Sequence, residues 1–153
     1  MSANADLIAR FYAAFDARDG AAMAASYTPD AVFSDPVFGE LRGADPGRMW
    51  VMLTGRAQDL KITLADHAAD DGATGTAHWL ADYTFAATGR KVHNDVRARF
   101  VFRDGPIAEH HDAFSFYGWA RQALGPSGLL LGWTPMVKNK VRGQARDGLA
   151  AAA

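Results

Sequence analysis

Residues 90–112 read RKVHNDVRARFVFRDGPIAEHHD, and this run decides the fold. Within it Val92, Asn94, Val96, Ala98, Phe100 and Phe102 alternate with Lys91, His93, Asp95, Arg97, Arg99 and Arg103. Successive side chains of a strand point to opposite faces, so the first set marks a buried face and the second a wet one. Asp104-Gly105 interrupts the run as a hairpin turn. The chain resumes with His110 and Asp112 on the face that also carries Phe114 and Phe116. Working backwards, Thr88-Gly89 joins this strand to one whose odd positions, Trp79, Ala81, Tyr83 and Phe85, are the inward ones. Strands are predicted over 60–69, 74–87, 90–103 and 106–117.

Upstream, the period lengthens to that of a helix. Leu7, Ile8, Phe11 and Phe15 form an apolar stripe capped by Ser2, and Asp19 caps a short Ala-rich second helix through Tyr27. Ala31-Val32-Phe33 reads as a brief strand running into Asp35-Pro36. A third helix starts with Asp45 at its cap and Pro46 in its first turn, sending Met49, Trp50 and Leu53 to the core. Helices followed by a meander of long strands define an α+β chain, not a βαβ repeat. After Trp119 the chain turns helical, breaks at Gly125-Pro126 and restarts at Thr134-Pro135. The expected division is a domain over 1–120 and a helical extension over 121–153. Leu129–Leu131, Trp133 and Met136 make that extension too apolar to hang free, so it is expected across a partner subunit or over the mouth of a pocket.

Strand parity sets expected registers. A two-residue Thr88-Gly89 turn pairs Phe85 with Val92 and Trp79 with Ala98. A three-residue loop with Gly105 in the left-handed region pairs Ala98 with His110 and Val96 with Asp112. Three layers then cross the buried face: Trp79/Ala98/His110, Ala81/Val96/Asp112 and Tyr83/Asn94/Phe114. Small residues at Ala81 and Ala98 leave room beside His110 and Asp112, where polar groups converge among aromatics as in a ligand pocket.

Composition narrows the field. The chain has 153 residues, 49% of them apolar, with a net charge of −1. That suits one globular domain and supplies no global basic field for nucleic acid. Cysteine is absent, which removes thiol and disulfide chemistry. The start carries neither a basic region nor an apolar stretch, and no window is apolar enough for a membrane span. The expectation is a cytoplasmic protein with no membrane or nucleic-acid partner.

The chain resembles the nuclear transport factor 2-like superfamily, in its ketosteroid isomerase and SnoaL-like branch, over roughly Leu7 to Trp119. The likeness rests on the helix-helix-strand order, on AVFSDPVFG at 31–39 ahead of Arg42-Gly43, and on FVFRDG at 100–105 leading into Ile107 and His110-His111-Asp112. It implies a cone-shaped curved antiparallel sheet wrapped around N-terminal helices, here with an extra C-terminal helix. It also implies a homodimer, a pocket inside the cone and no cofactor. Asp35 matches the general base of the isomerases, but their oxyanion tyrosine falls at Phe11 and their protonated aspartate at Ala98. Asp112 matches the aspartate of limonene epoxide hydrolases, whose partner arginine and aspartate fall at Ala81 and Tyr83. The SnoaL-like cyclases are similar in kind.

Two functions follow. In the first, the protein binds a small, mostly apolar molecule and moves a proton on it, in isomerase, cyclase, dehydratase or hydrolase chemistry. His110 is then the acid or base, Asp112 its orienting carboxylate and Asp35 a second acid or base. Tyr83 and Asn94 anchor the ligand, and Trp79, Phe114, Ala98, Phe11 and Trp50 line its pocket. In the second, the same surfaces form a non-catalytic binding or dimerisation module. There His110 and Asp112 only brace the strand, and Asp35 only caps backbone amides at its turn. No metal is expected, since His111 points outward with Glu109.

Overall fold

The computed structural model describes residues 2–70 and 72–152. Helix α1 (Ala3–Asp16) opens the chain, with the Ser2 hydroxyl accepting the Ala5 amide as its cap. Its buried stripe is Ile8, Phe11, Tyr12 and Phe15. Asp16 pins its far end by accepting the Ile62 amide at 2.9 Å. Helix α2 (Gly20–Ala24) follows, capped by Asp19, and leads into strand β1 (Tyr27–Asp35) and the short β2 (Gly39–Arg42). Helix α3 (Asp45–Arg56) begins one residue before the expected position. Ala44 is its cap residue, and the Asp45 carboxylate pairs with Arg48 at 2.6 Å instead of capping the helix.

Strands β3 (Lys61–Ala69), β4 (Thr74–Phe85), β5 (Arg90–Phe102) and β6 (Ile107–Ala113) complete one six-stranded sheet. The strand order is β2-β1-β6-β5-β4-β3. Every neighbouring pair is antiparallel except β1 and β6. The buried faces are those that strand alternation indicates: Val92, Val96, Ala98, Phe100 and Phe102 on β5, and Ala77, Trp79 and Ala81 on β4. α1 packs on this face, where Phe11 meets Phe100 and Tyr12 meets Trp79 edge-on or tilted.

The registers differ from those expected. Trp79 lies opposite Val96 and Tyr83 opposite Val92, so the β4–β5 hairpin is slid by two residues. The cause is a four-residue turn, Ala86 to Gly89, in which the Gly89 amide donates to the Phe85 carbonyl at 2.8 Å. The β5–β6 pair is slid by two as well, through a four-residue loop and a bulge after Val101. Ala98 therefore faces Asp112, and His110 lies between Phe100 on one side and Phe33 on the other. A slide of two preserves every face and changes every neighbour. None of the three expected layers forms.

The last strand also ends sooner than expected, at Ala113. Ser115 accepts the Gly118 amide as a helix cap, so Phe116 opens helix α4 (Phe116–Leu124) and does not extend the sheet. Helix α4 lies over one end of β4 and β5, where Trp119, Phe116 and Ala120 pack with Val92, Tyr83 and Phe85. Helix α5 (Pro126–Leu131) stacks on α4 and leaves Leu129, Leu130 and Leu131 exposed, together with Trp133 and Met136. Helix α6 (Pro135–Ala151), capped by Thr134, returns to the β1–β2 turn and to α3, where Leu149 is buried. No helix among the described residues is long and apolar enough to cross a membrane.

The α2–α3 contact leaves no room for growth. A Cβ on Gly20 would stand 2.4 Å from Thr54 Oγ1 and 2.7 Å from Val51 Cα. Gly20→Ala is therefore expected to cost about 1–3 kcal/mol of stability through overpacking. Urea denaturation checks this, and an unchanged midpoint refutes so tight a crossing.

Candidate active site

His110 stands at the centre of the concave face, fully buried. Its ring centroid lies 4.4 Å from that of Phe100, 5.1 Å from Phe33 and 5.6 Å from Phe11. Both ring nitrogens are occupied: Nδ1 lies 2.8 Å from the Tyr27 hydroxyl and Nε2 lies 2.9 Å from Asp112 Oδ1. The Tyr27 oxygen also accepts the Trp50 indole N–H at 2.7 Å. Trp50 can only donate, so the arrangement that uses every donor runs one way. Trp50 donates to Tyr27, Tyr27 donates to His110 Nδ1, and the proton on His110 Nε2 goes to Asp112.

His110 therefore does not reach open space, and the expectation that it acts directly as acid or base meets a closed shell of hydrogen bonds. It holds Asp112 instead. Phe11 and Trp50 are buried beside it, with ring centroids 5.6 and 6.1 Å from that of His110. Asp112 is the outer member of the chain, at 7% exposure, with one carboxylate oxygen not engaged by His110. Ala98 lies directly across from it and Ala77 one strand further, so small residues do flank a polar group, but that group is Asp112.

Asp35 ends β1 in an Asp-Pro turn. Its Oδ1 accepts the amides of Val37 at 2.9 Å and Phe38 at 2.6 Å. The turn-capping role is thus real. Burial nevertheless pushes its carboxyl up to about 7, against the pull of those amides, with Asp112 adding to the rise and Arg142 opposing it.

Two buried donors complete the interior. The Tyr12 hydroxyl and the Trp79 indole N–H find no partner among the described residues. Burial, then the Asp112 carboxylate, raises the Tyr12 phenol well above its usual value. Buried polar groups without partners are rare in folded proteins; among the described residues Thr28 Oγ1 and His67 Nε2 are also unpartnered, but Tyr12 and Trp79 belong to rings 5.5 Å apart. Tyr83 stands farther out, with its hydroxyl accepting the Trp119 indole N–H at 2.8 Å. Burial raises its phenol, and Asp35 adds to the rise. Phe114 is half-buried between the main core and the α4 cluster. Asn94, also half-buried, lies opposite Ala81 beyond the end of β6, not beside Phe114. His111 points away from this centre, bonded to Ser34 and Glu109. Among the described residues no three His, Asp or Glu side chains converge to hold a metal ion.

Tyr12, Tyr27, Trp119 and Arg142, which the structure brings to this region, were not singled out from the sequence. Tyr12 sits four residues after Ile8 on the stripe of α1, a signal that was available. Tyr27 lies 83 residues from His110 in sequence, and no local pattern joins them.

The curved sheet around N-terminal helices, with its polar centre inside, is the nuclear transport factor 2-like, ketosteroid isomerase-like fold. Residues 8–110 match the SnoaL-like domain, and the chain belongs to that family. No curated protein matches the sequence. Among solved structures, a candidate polyketide cyclase of Xanthomonas campestris is 20% identical, with a TM-score of 0.65 over 78% of this chain and 96% of that one. A ketosteroid isomerase-like protein of Catenulispora acidiphila, crystallised with trimethylamine, is 16% identical, with a TM-score of 0.68 over 84% and 97%. TerC, co-crystallised with polyporic acid, is 19% identical, with a TM-score of 0.62 over 74% and 92%.

Tyr27→Phe removes one oxygen and orphans both Trp50 Nε1 and His110 Nδ1, at about 1–3 kcal/mol per group. Chemical denaturation should show that loss, and a stability equal to the parent's would break the proposed chain of donors. Asp35→Asn keeps the oxygen that caps the turn but removes the titration. The native carboxyl holds its proton up to about pH 7, while an unfolded aspartate releases it near 4. Its contribution to stability therefore falls as pH rises through that window and is level above it. The variant should match the parent near pH 4 and exceed it by on the order of 1–3 kcal/mol at pH 8, allowing for a half-buried site. A gap independent of pH contradicts the raised value.

Proposed function

We propose that the protein binds a small, mostly apolar molecule on the concave side of the sheet and moves a proton on it without a cofactor. The observation that carries this reading is the pairing of two carboxylates with two partnerless buried donors. Asp35, which changes protonation near pH 7, is the acid or base. Asp112, oriented by His110, is the second. The Tyr12 hydroxyl and Trp79 indole N–H suit a carbonyl or enolate oxygen, which would supply the acceptor they lack. His110, Tyr27 and Trp50 act as positioning residues behind Asp112. The class includes isomerases, cyclases, dehydratases and hydrolases.

A second reading is a dimerisation module built from two copies of this chain. It is favoured by the exposed run Leu129–Leu131 with Trp133 and Met136, which is more apolar surface than a solitary chain normally leaves wet.

Native mass spectrometry of the purified protein, with mild denaturation to release bound molecules, separates the two. A co-purifying carbonyl compound supplies the substrate class for turnover assays. Asp35→Asn and Asp112→Asn should then each lower turnover at least about a hundredfold while the fold survives. Near-normal turnover in both rejects the proton-transfer reading. An empty dimer that Leu130→Glu converts to monomer supports the module.

A further inference from the structure

The turn that carries Asp35 is held from outside the matched family segment. Helix α6 begins 25 residues beyond position 110, where that match ends, and returns across the molecule to this turn. Arg142 donates its Nε–H to the Val37 carbonyl and its Nη2–H to the Pro36 carbonyl, both at 3.2 Å. Arg146 donates to the carbonyls of Phe38 at 2.8 Å and Glu40 at 3.1 Å. The amides of Val37 and Phe38 meanwhile bind Asp35 Oδ1. The Pro36–Val37 and Val37–Phe38 peptide units are thus held on their carbonyl side by Arg142 and on their amide side by the carboxylate, while Arg146 holds carbonyls farther along the turn.

Gly39 shows that this approach is close. It has φ of +72°, and a Cβ there would stand 3.0 Å from Arg146 Nη2 and 3.2 Å from Arg142 Nε. A side chain at position 39 would be strained in backbone and would push both guanidinium groups away. Val141, in the same helix, and Val37, in the turn, both pack against the α4 cluster.

We propose that Arg142 is a positioning residue for Asp35: the C-terminal helix sets the geometry and the proton affinity of the carboxyl group through this clasp. The inference rests on Asp35 as the proton-exchanging group. The charged and titratable groups around Asp35 come from three elements: Asp112 on β6, Tyr83 on β4, and Arg142 and Arg146 on α6. Asp112 and Tyr83 offer no cation, and Arg146 is spent on carbonyls further along the turn. The Phe38 and Val37 amides oppose the burial that favours the protonated acid, and Arg142 is the one cation that joins them. Its planar fork spans two successive carbonyls, which a lysine ammonium would not do in fixed register.

The test is an NMR titration of the Asp35 side-chain carboxyl carbon in the full chain, read in the parent and in Arg142→Gln, Arg142→Lys and Arg146→Gln. Arg142→Gln should raise the midpoint by at least half a pH unit. Arg142→Lys, which keeps the charge, should recover most of that shift, and Arg146→Gln should leave the midpoint at the parent value. A merely structural clasp would lower thermal stability in all three without moving the midpoint, and that result overturns the proposal. The parent protein gives a second check that survives any folding failure. Its Arg142 Nε–H resonance should titrate with the Asp35 midpoint and lose that transition in Asp35→Asn. An Arg142 resonance indifferent to Asp35 also overturns it. The titration is independent of turnover. A midpoint under Arg142 control, combined with full turnover of Asp35→Asn, would sink the functional reading alone.

Discussion

The hydrogen bonds from Trp50 through Tyr27 and His110 to Asp112 join α3, β1 and β6 at the centre of the molecule. Burying an imidazole beside a carboxylate is costly unless both are hydrogen-bonded, and leaving either without its partner costs about 1–3 kcal/mol or more. That asymmetry makes the chain a constraint. Every element around it must hold its place, or a buried polar group is left without a partner. Phe11, Phe33 and Phe100 close the imidazole from three sides, which keeps water from competing for its nitrogens. Asp112, the last member, is what the protein presents to its interior.

From that point the electrostatics divide the site. His110 donates to Asp112, while Asp35 has only backbone amides and a distant guanidinium to offset its burial. Two carboxyl groups in one interior therefore meet different surroundings, a separation that acid and base roles require. Tyr12 and Trp79 add donors without adding charge. The C-terminal helices bear on the same region from outside: α4 through Trp119 and Tyr83, and α6 through the turn of Asp35. The extension is tied to its own chain at both ends of the site, although α5 between them stays apolar and exposed.

Strand alternation in β4 and β5 was legible because a period of two survives any register shift by an even number. The buried faces followed from residue order alone, as did the helical stripe of α1, its Ser2 cap and the Thr134-Pro135 start of α6. Neighbours across strands did not follow. The turn at Ala86–Gly89 takes four residues because its hydrogen bond closes on Phe85, and the loop after Phe102 is followed by a bulge. Both depend on contacts outside the turn, among them Thr88 bonded to the Ala123 carbonyl of α4.

The residues of the candidate site divide in the same way. Local pattern placed His110 and Asp112 two apart on one buried face, within reach of each other, and marked Asp35 as a turn carboxylate. Which nitrogen of His110 is left for Asp112 was decided by Tyr27 and Trp50, which arrive from β1 and α3 and occupy the far side of the imidazole. The proton affinity of Asp35 likewise depends first on burial by distant segments and then on Asp112, 77 residues along the chain, with a smaller pull from Arg142, 107 residues along. Sequence by itself determined the α+β class, the faces and the chemical types present, because these rest on short periodicities and caps. The tertiary structure alone decided partners and protonation, because hydrogen bonds and burial act through space between segments that share no local pattern.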